Sequence, residues 1–199
     1  MTGFGAFAGA DGRRVERNPS IAYAHAIAAH LADDRRVRAL ELPVAFKDGR
    51  LALRSALTSG RLRAWLGLGV ALSRQSVEVE AIALNVAHAL GPDEAGELLV
   101  HQTLVAGGPT AVCASVSPSA AVDVLRQAAI DAHVSHHAGT FVCNAVAYEA
   151  YRSAARRASA RGPLAALFVH VPMPADGPEP QVTAALVALA RWLAPESRP

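Results

Sequence analysis

Strand-like and helix-like patterns alternate along most of this 199-residue chain, and the alternation restricts its fold more than any other feature. Asn18-Pro19 and Ser117-Pro118 each place a helix-capping side chain before a proline that suits the first helical position. Between the helical patterns lie short runs rich in β-branched and aromatic residues, which are typical of strands. We therefore predict one α/β domain over residues 1–199, a three-layer α/β/α sandwich around a mostly parallel, mixed sheet.

The individual elements follow from local periodicity and turn residues. Strands are predicted over Val37 to Phe46, Leu62 to Val70, Val77 to Val86, Thr110 to Val116 and Leu164 to Val171. Asp48-Gly49 is a typical turn and predicts the end of the first strand, which leaves room only for a short helix over Leu51 to Leu57. Residues 87–110 are predicted to be loop with some strand, and the last helix is predicted to stop at Pro195.

Composition and charge exclude several classes of protein. No run approaches the roughly 18 apolar residues that a membrane-spanning helix needs, and the first residues lack the charged and apolar regions of a secretory signal. The two cysteines, Cys113 and Cys143, lie in apolar surroundings without CxxC spacing, so we expect a reduced, cytoplasmic protein. The net charge is only +2 and the arginines are scattered among acids, so no nucleic-acid partner is predicted.

The segment Ala138 to Asn144 contains a candidate nucleophile, Cys143. Thr140, Phe141 and Val142 predict the end of a strand, and helical spacing of apolar residues begins directly after the segment. A helix start has unpaired N–H groups and a positive dipole end, which favour a thiolate and can stabilise an oxyanion. The alternative is that Cys143 is a small buried hydrophobic residue, as many free cysteines are.

A thiol nucleophile requires a base to take its proton and a third group to orient that base. His170 lies in an apolar run at the end of a predicted strand, where the alternative is a core histidine with satisfied hydrogen bonds. Glu80 lies inside another apolar strand, where a charge is costly without a partner. A buried pair of Glu80 and His170 would explain both residues, with the second ring nitrogen of His170 within reach of Cys143.

Five segments together resemble one known family. The chemistry-bearing ones are Glu80 to Asn85, Ala138 to Asn144 and Val169 to Pro172, in the order glutamate, cysteine, histidine. The others are Thr2-Gly3-Phe4 with Phe7 and Asn18-Pro19-Ser20, which resemble an opening glycine-rich loop, and Glu41 to Val44 with Phe46, which resembles a second strand. On these residues the chain resembles pyroglutamyl peptidase type I (pyrrolidone carboxyl peptidase), a family of cysteine peptidases that remove N-terminal pyroglutamate.

The resemblance implies a role for each of the three motifs. It implies Cys143 as nucleophile, His170 as general base and Glu80 as the group that orients the imidazole. It also implies an apolar pocket for the lactam ring, formed by Phe4, Phe7, Phe141 and Val142. The implied substrate is a small peptide with a blocked N-terminus, no cofactor is required, and a homo-oligomer is expected.

The chain departs from the family pattern at several places. It begins almost on the Thr2-Gly3-Phe4 motif, so either the central strand is truncated or the chain begins late. Val70 stands where the family usually has a glutamine, although Arg74 is retained. Leu90 stands where the family has an arginine thought to polarise the scissile carbonyl, and loss of one oxyanion donor costs about 10²–10³ in rate. The alternative is therefore a divergent or inactive member that acts on another amide or serves as a binding protein.

Two further groups of polar residues, one of histidines and one of arginines, are candidates for binding sites. A histidine cluster precedes the cysteine segment and consists of His133, His136 and His137. Zinc usually needs three or four ligands with a thiol or carboxylate among them, so these histidines are predicted to be loop residues and no metal is predicted. The arginines Arg152, Arg156, Arg157 and Arg161 are predicted to form a solvated helix face.

Overall fold

The computed structural model describes residues 1–9, 12, 14–34, 37–58, 62–157 and 162–194. The helices are α1 (Pro19–His30), α2 (Phe46–Thr58), α3 (Pro118–Gln127), α4 (Val142–Arg157) and α5 (Pro180–Leu193). The strands are β1 (Thr2–Phe4), β2 (Phe7–Ala8), β3 (Arg14–Val15), β4 (Leu40–Leu42), β5 (Ala64–Ala71), β6 (Val77–Glu80), β7 (Ile82–Leu84), β8 (Ala111–Cys113), β9 (Ala132–Ser135) and β10 (Ala165–Pro172).

A six-stranded sheet with the order β4-β1-β5-β10-β6-β9 forms the middle layer. Its neighbouring strands are parallel except for β6 and β10, which are antiparallel, so the sheet is mostly parallel and mixed as predicted. Two small antiparallel pairs, β2 with β3 and β7 with β8, lie outside it.

Helices cover both faces of the sheet, which completes the predicted three layers. On β10, Leu167, Val169 and Val171 point to the face covered by α1, α3 and α5. Ala166 and Phe168 point to the opposite face, which packs against α2 and α4. Because side chains alternate along a strand, His170 also points toward α2 and α4.

The predicted helix starts at Asn18 and Ser117 are confirmed. The Asn18 side chain accepts a hydrogen bond from the Ser20 amide at 3.0 Å, and the Ser117 hydroxyl accepts one from the Ala120 amide at 3.3 Å. In both helices the following proline occupies the first position.

The prediction for Val37 to Phe46 was wrong in its second half, because only Leu40–Leu42 forms a strand and α2 already begins at Phe46. Asp48-Gly49 is therefore part of a helix, and the Gly49 amide donates to the Ala45 carbonyl at 2.9 Å. The buried carboxylate of Asp93 accepts a hydrogen bond from the Phe46 amide at 2.8 Å. This acceptor comes from a distant loop, so no local signal could indicate the helix start.

Two other strand predictions need correction. Val77 to Val86 divides into β6 and β7, and β7 leaves the main sheet to pair with β8. The predicted buried strand Thr110 to Val116 shortens to β8, where Cys113 is exposed rather than enclosed in apolar surroundings. Residues 87–110 contain an isolated bridge between Ala87 and Gln102 and are otherwise loop.

The end of α5 at Leu193 agrees with the predicted helix, while Pro195 and Arg161 lie outside the described residues. None of the helices within the described ranges has the length and apolar character that a membrane span requires.

Candidate active site

Glu80 and His170 form a buried pair on the α2/α4 face of the sheet. His170 Nδ1 lies 2.7 Å from Glu80 Oε1, and the two residues are 4% and 0% exposed. In the antiparallel register Glu80 lies opposite Phe168, and Glu78 lies opposite His170. Glu80 and His170 are thus diagonal neighbours on one face, a separation that long side chains can bridge.

Arg74, in the loop between β5 and β6, joins this pair. Its Nη1 lies 2.5 Å from Glu80 Oε1 and 2.5 Å from Glu78 Oε2, and its Nη2 donates to the His137 carbonyl at 2.9 Å. Burial alone would raise the pKa of Glu80, but the His170 hydrogen bond and the charges of His170 and Arg74 outweigh burial and lower it. Glu80 is therefore held as a carboxylate.

The His170 ring lies over a glycine of the neighbouring strand. Gly69 is paired with His170 in the parallel β5–β10 register. A Cβ atom at Gly69 would lie 2.9 Å from His170 Cδ2 and 3.0 Å from Nε2, which is too close for any side chain without a shift of the ring. Phe168 packs edge-on against the imidazole at a centroid distance of 5.1 Å.

Cys143 is the second residue of α4, so the predicted position at a helix start is confirmed. The preceding residues Thr140 and Phe141 are loop and Val142 begins the helix, so the predicted strand end was wrong. The loop is shaped by Gly139 with φ of 79° and by two hydrogen bonds of 2.9 Å between Thr140 and His88.

The first amides of α4, at the position of Cys143, lack backbone acceptors within the described residues. The first backbone hydrogen bond of α4 runs from the Ala145 amide to the Phe141 carbonyl at 3.2 Å. Among the described contacts, the amides of Val142, Cys143 and Asn144 have no backbone acceptor. A helix start with unpaired N–H groups can stabilise a developing oxyanion.

Cys143 is partly buried and packs against the core beside α2 and α4. Burial, and to a smaller extent the charge of Glu80, raises the pKa of the Cys143 thiol to about 12, with Arg74 and the backbone amide of Cys143 only partly opposing the rise. The backbone amide at the helix start lowers the pKa of the thiol, as expected, but burial is the larger effect, so a thiolate is not favoured overall. Within the described residues, His170 bonds to Glu80 and no hydrogen bond joins Cys143 Sγ to the imidazole.

The residues predicted to contact the lactam ring differ in exposure. Phe4 and Val142 are buried at 2% and 0% exposure and belong to the core between the sheet and α2 and α4. Phe7 and Phe141 are half-buried at the edge of this core, and Phe141 packs edge-on against Phe46 with centroids 5.3 Å apart.

Sequence reasoning assigned no role to two residues that the structure brings to the site. The Asn144 side chain accepts from the Leu84 amide at 2.8 Å and donates to the Leu84 carbonyl at 2.9 Å, so it joins the start of α4 to β7. The Tyr151 hydroxyl lies 2.6 Å from the Glu80 carbonyl oxygen and 3.0 Å from the Phe168 amide nitrogen. The sequence signal that could have found Asn144 and Tyr151 is that each places a polar side-chain atom on the buried face of α4.

The histidine cluster does not assemble a metal site. In the part of the chain that the structure describes, no group of three or more His, Cys, Asp and Glu side chains could hold a metal ion. His133 instead pairs with Asp131 at 3.0 Å, and His137 Nδ1 accepts from the Gly139 amide at 3.2 Å.

A cysteine at a helix start, within electrostatic reach of the carboxylate of a buried histidine–carboxylate pair on an α/β sheet, supplies the residue types that cysteine hydrolases use. The comparisons with known proteins narrow this class. The sequence profile described as "Pyroglutamyl peptidase" matches residues 1–183. The chain therefore belongs to the pyroglutamyl peptidase family.

Individual relatives agree with this assignment. The chain is 40% identical over 148 residues to a pyrrolidone-carboxylate peptidase of Streptomyces coelicolor, a match that covers 74% of this chain and 66% of the relative. It is 34% identical over 172 residues to a pyrrolidone-carboxylate peptidase of Klebsiella pneumoniae, a match that covers 86% of this chain and 76% of the relative.

Solved structures show the same fold. Pyroglutamyl peptidase I of Bacillus amyloliquefaciens superimposes with a TM-score of 0.79 at 25% identity, and 95% of this chain and 92% of that chain are covered. A mutant pyrrolidone carboxyl peptidase of Pyrococcus furiosus superimposes with a TM-score of 0.80 at 22% identity, with 99% and 98% covered.

Proposed function

We propose that this protein is a cysteine peptidase that removes an N-terminal pyroglutamyl residue from peptides. The observation that carries the proposal is the buried Glu80–His170 pair, together with Cys143 at the start of α4 within electrostatic reach of Glu80, in a member of the pyroglutamyl peptidase family. Its substrate is a small peptide with a blocked N-terminus.

The reaction begins with proton transfer from the Cys143 thiol to His170. Nδ1 of His170 is engaged by Glu80, so Nε2 is the nitrogen available to accept the proton. Because burial raises the pKa of the thiol, little thiolate is present beforehand, and we expect the proton to leave as sulfur attacks. The Sγ–carbon bond then forms at the pyroglutamyl carbonyl, and its oxygen becomes an oxyanion.

The N–H of Cys143 is the proposed oxyanion donor, because it lies at the start of α4 without a backbone acceptor. Collapse of the tetrahedral intermediate breaks the carbon–nitrogen bond, and His170 returns its proton to the departing amine. Water, deprotonated by His170, then attacks the thioester, so pyroglutamate is released and the Cys143 thiol is restored.

Glu80 and Arg74 act through His170. The Glu80 carboxylate fixes the ring and stabilises the imidazolium that forms during attack. Arg74 in turn holds that carboxylate in place through its contact of 2.5 Å, and its second nitrogen fixes the loop before the cysteine through the His137 carbonyl.

The lactam ring is proposed to bind beside the half-buried rings of Phe7 and Phe141, with Phe4 and Val142 behind them in the core. A homo-oligomer is proposed from the family resemblance, and light scattering of the purified protein tests it. A cytoplasmic location is proposed from the two unpaired cysteines, Cys113 and Cys143.

A shifted substrate range is the second candidate, and Leu90 motivates it. This side chain is 88% exposed, in a loop that is joined to Thr140 through His88. A leucine there cannot polarise a carbonyl, and a pocket with fewer hydrogen bonds discriminates less between substrates.

Fluorogenic amides of pyroglutamate, proline and alanine test both candidates. We expect turnover of the pyroglutamyl amide in preference to the others and its abolition by Cys143→Ala. The matched control is Cys113→Ala, which removes the exposed thiol of β8 and should leave turnover unchanged. Equal turnover of all three amides would support the shifted range, and turnover that survives Cys143→Ala would refute the mechanism.

A further inference from the structure

A cleft with a volume of about 520 Å³ lies between α2 and α4, remote from the proposed reaction centre. Arg50 and Arg54 of α2 face it from one side, and Arg152 and Arg156 of α4 from the other. Arg152 is nine residues beyond Cys143 on the same helix, which corresponds to about 14 Å along its axis. The volume falls within the range of about 300–1,000 Å³ that is typical of small-molecule sites.

One carboxylate faces these four guanidinium groups. Glu149 is 2% exposed, and its two oxygens accept hydrogen bonds from Arg54 Nε and Nη2 at 2.9 Å each, while Arg50 Nη2 lies 3.4 Å away. Burial opposes ionisation of Glu149, but the Arg54 hydrogen bonds and the charges of Arg54 and Arg50 outweigh it and lower its pKa. The lining therefore has an excess of three positive charges.

Within the described residues, Arg152 and Arg156 are not neutralised by an acidic side chain. Neither has an ion-pair partner among the described residues, and they lie one helical turn apart, where like charges repel. The helix dipole favours a basic residue in the last turn and so accounts for Arg156 in part. The helix dipole does not explain why Arg152 and Arg156 face the same cleft as the arginines of α2. It also does not explain the buried Arg50 Nε, which lacks a hydrogen-bond partner within the described part of the chain.

We propose that this arginine cleft binds an organic polyphosphate. The planar guanidinium group matches adjacent phosphate oxygens with paired donors, and two unpaired arginines are available for this contact. Glu149 orients Arg54 and Arg50, so the lining is partly organised before binding. Leu104 and Val105 form an apolar wall of the cleft that suits the non-phosphate part of the ligand.

Isothermal titration calorimetry with ATP and with inorganic tripolyphosphate at about 0.15 M salt tests the site, because that salt screens long-range attraction between exposed charges. We expect the double variant Arg152→Gln/Arg156→Gln to weaken ATP binding at least tenfold while pyroglutamyl turnover is unchanged. The charge-matched control is Arg17→Gln/Arg191→Gln, two exposed arginines outside the cleft.

The two probes separate the possible sources of binding energy. Tighter binding of ATP than of tripolyphosphate, which has the same number of phosphates, supports a site for an organic polyphosphate, whereas equal binding refutes a role for the apolar wall. Absence of ATP binding by the unchanged protein at millimolar concentration, or equal weakening by the control variant, overturns the proposal. None of these outcomes depends on the peptidase activity.

An independent observation concerns Tyr151, which is fully buried on α4. Its hydroxyl donates to the Glu80 carbonyl at 2.6 Å and accepts from the Phe168 amide at 3.0 Å. Glu80 and Phe168 lie directly opposite each other in the antiparallel pair of β6 and β10. One hydroxyl thus joins the helix that carries Cys143 to both strands that carry the histidine–carboxylate pair.

We infer that Tyr151 is a positioning residue for the reaction, an inference that depends on the proposed function. Loss of the hydroxyl leaves a buried amide and carbonyl with one partner fewer and frees α4 to move relative to both strands. Displacement of reacting groups by about 1 Å can cost about 10² in rate. Burial raises the pKa of Tyr151, so its hydroxyl remains a donor across the working pH range.

Tyr148 provides a matched control, because it is also fully buried on α4 and its hydroxyl donates to the Pro109 carbonyl at 2.8 Å, away from β6 and β10. We expect Tyr151→Phe to lower kcat about tenfold at nearly constant KM, through misplaced reacting groups. It should also shift the pH dependence of Cys143 alkylation. Tyr148→Phe should leave both quantities unchanged although it, too, loses a hydrogen bond.

If Tyr151→Phe and Tyr148→Phe had equal effects on kcat and on alkylation, Tyr151 would contribute only to stability, and the inference would be overturned. The alkylation assay does not require peptidase activity. If the protein does not hydrolyse pyroglutamyl amides, the pH dependence of Cys143 alkylation still shows whether Tyr151→Phe displaces Cys143.

Discussion

The two faces of the central sheet differ in what they bury. The face covered by α1, α3 and α5 packs Leu, Val, Ile and Ala side chains with Tyr23. Toward α2 and α4 lie the buried acids and histidine of the described residues, namely Glu80, Asp93, Glu149 and His170. Each has a hydrogen-bonded partner, which is the condition under which burial of such groups is tolerated.

This difference separates stability from chemistry. Burial of apolar area on the first face contributes to folding without directional requirements. On the second face the same burial raises the pKa of a thiol, and paired charges hold a carboxylate ionised against that burial. Substitutions on the two faces should therefore have different experimental signatures, even at adjacent residues.

The largest expected effect concerns the pH dependence of the Cys143 thiol. Because its pKa is raised to about 12, the thiolate fraction and the rate of alkylation by iodoacetamide should rise about tenfold per pH unit from pH 7 to 10, without a plateau. The measurement is made in Cys113→Ala, so that only one cysteine reacts. A plateau near neutral pH would instead indicate a preformed thiolate–imidazolium pair.

On the apolar face, Leu68→Ala should mainly reduce stability. Leu68 of β5 is 0% exposed, and truncation of a buried leucine typically costs about 2–5 kcal/mol. Chemical denaturation should show this loss in the free energy of unfolding, while kcat of the protein that remains folded changes less than twofold. A loss of kcat without a loss of stability would contradict the separation of the two faces.

Substitution of Gly69, the next residue of β5, should instead mainly reduce activity. Gly69→Ala places a Cβ atom 2.9 Å from His170 Cδ2, so the imidazole must move, and we expect kcat to fall about 10². The control is Gly91→Ala, where a Cβ atom would meet nothing within 4 Å. Unchanged activity of Gly69→Ala would show that the ring position is not critical.

The smallest expected effect is the pH dependence of stability from the polar face. The folded-state pKa values of Glu80 and Glu149 are lowered from 4.5, so their stabilising contribution is complete above that pH and is lost as the pH falls through the folded values. Thermal unfolding between pH 7 and 3 should show a falling Tm, and Glu149→Gln should make the fall shallower. If Tm fell equally steeply with pH in the unchanged protein and in Glu149→Gln, ionised Glu149 would not contribute to this pH dependence.

Local chemistry accounts for the elements that were predicted well. The caps at Asn18 and Ser117 and the apolar run of β10 are encoded within a few neighbouring residues, so their positions could be read from the chain. The start of α2 could not, because its acceptor is Asp93, which is 47 residues away. A typical turn signal at Asp48-Gly49 was overridden by tertiary contacts, which include this distant carboxylate and the packing of α2 on α4.

The amino-acid sequence by itself determined the alternating α/β order and the residue types of the proposed chemistry: Cys143 before a helical pattern, and Glu80 and His170 as polar residues in apolar strands. The tertiary structure decided how these groups behave. The antiparallel pairing of β6 and β10 makes Glu80 and His170 diagonal neighbours, and packing of α4 on the sheet desolvates the thiol. Both effects depend on contacts between segments far apart in the chain, and desolvation is set by everything that surrounds a group rather than by its neighbours in sequence.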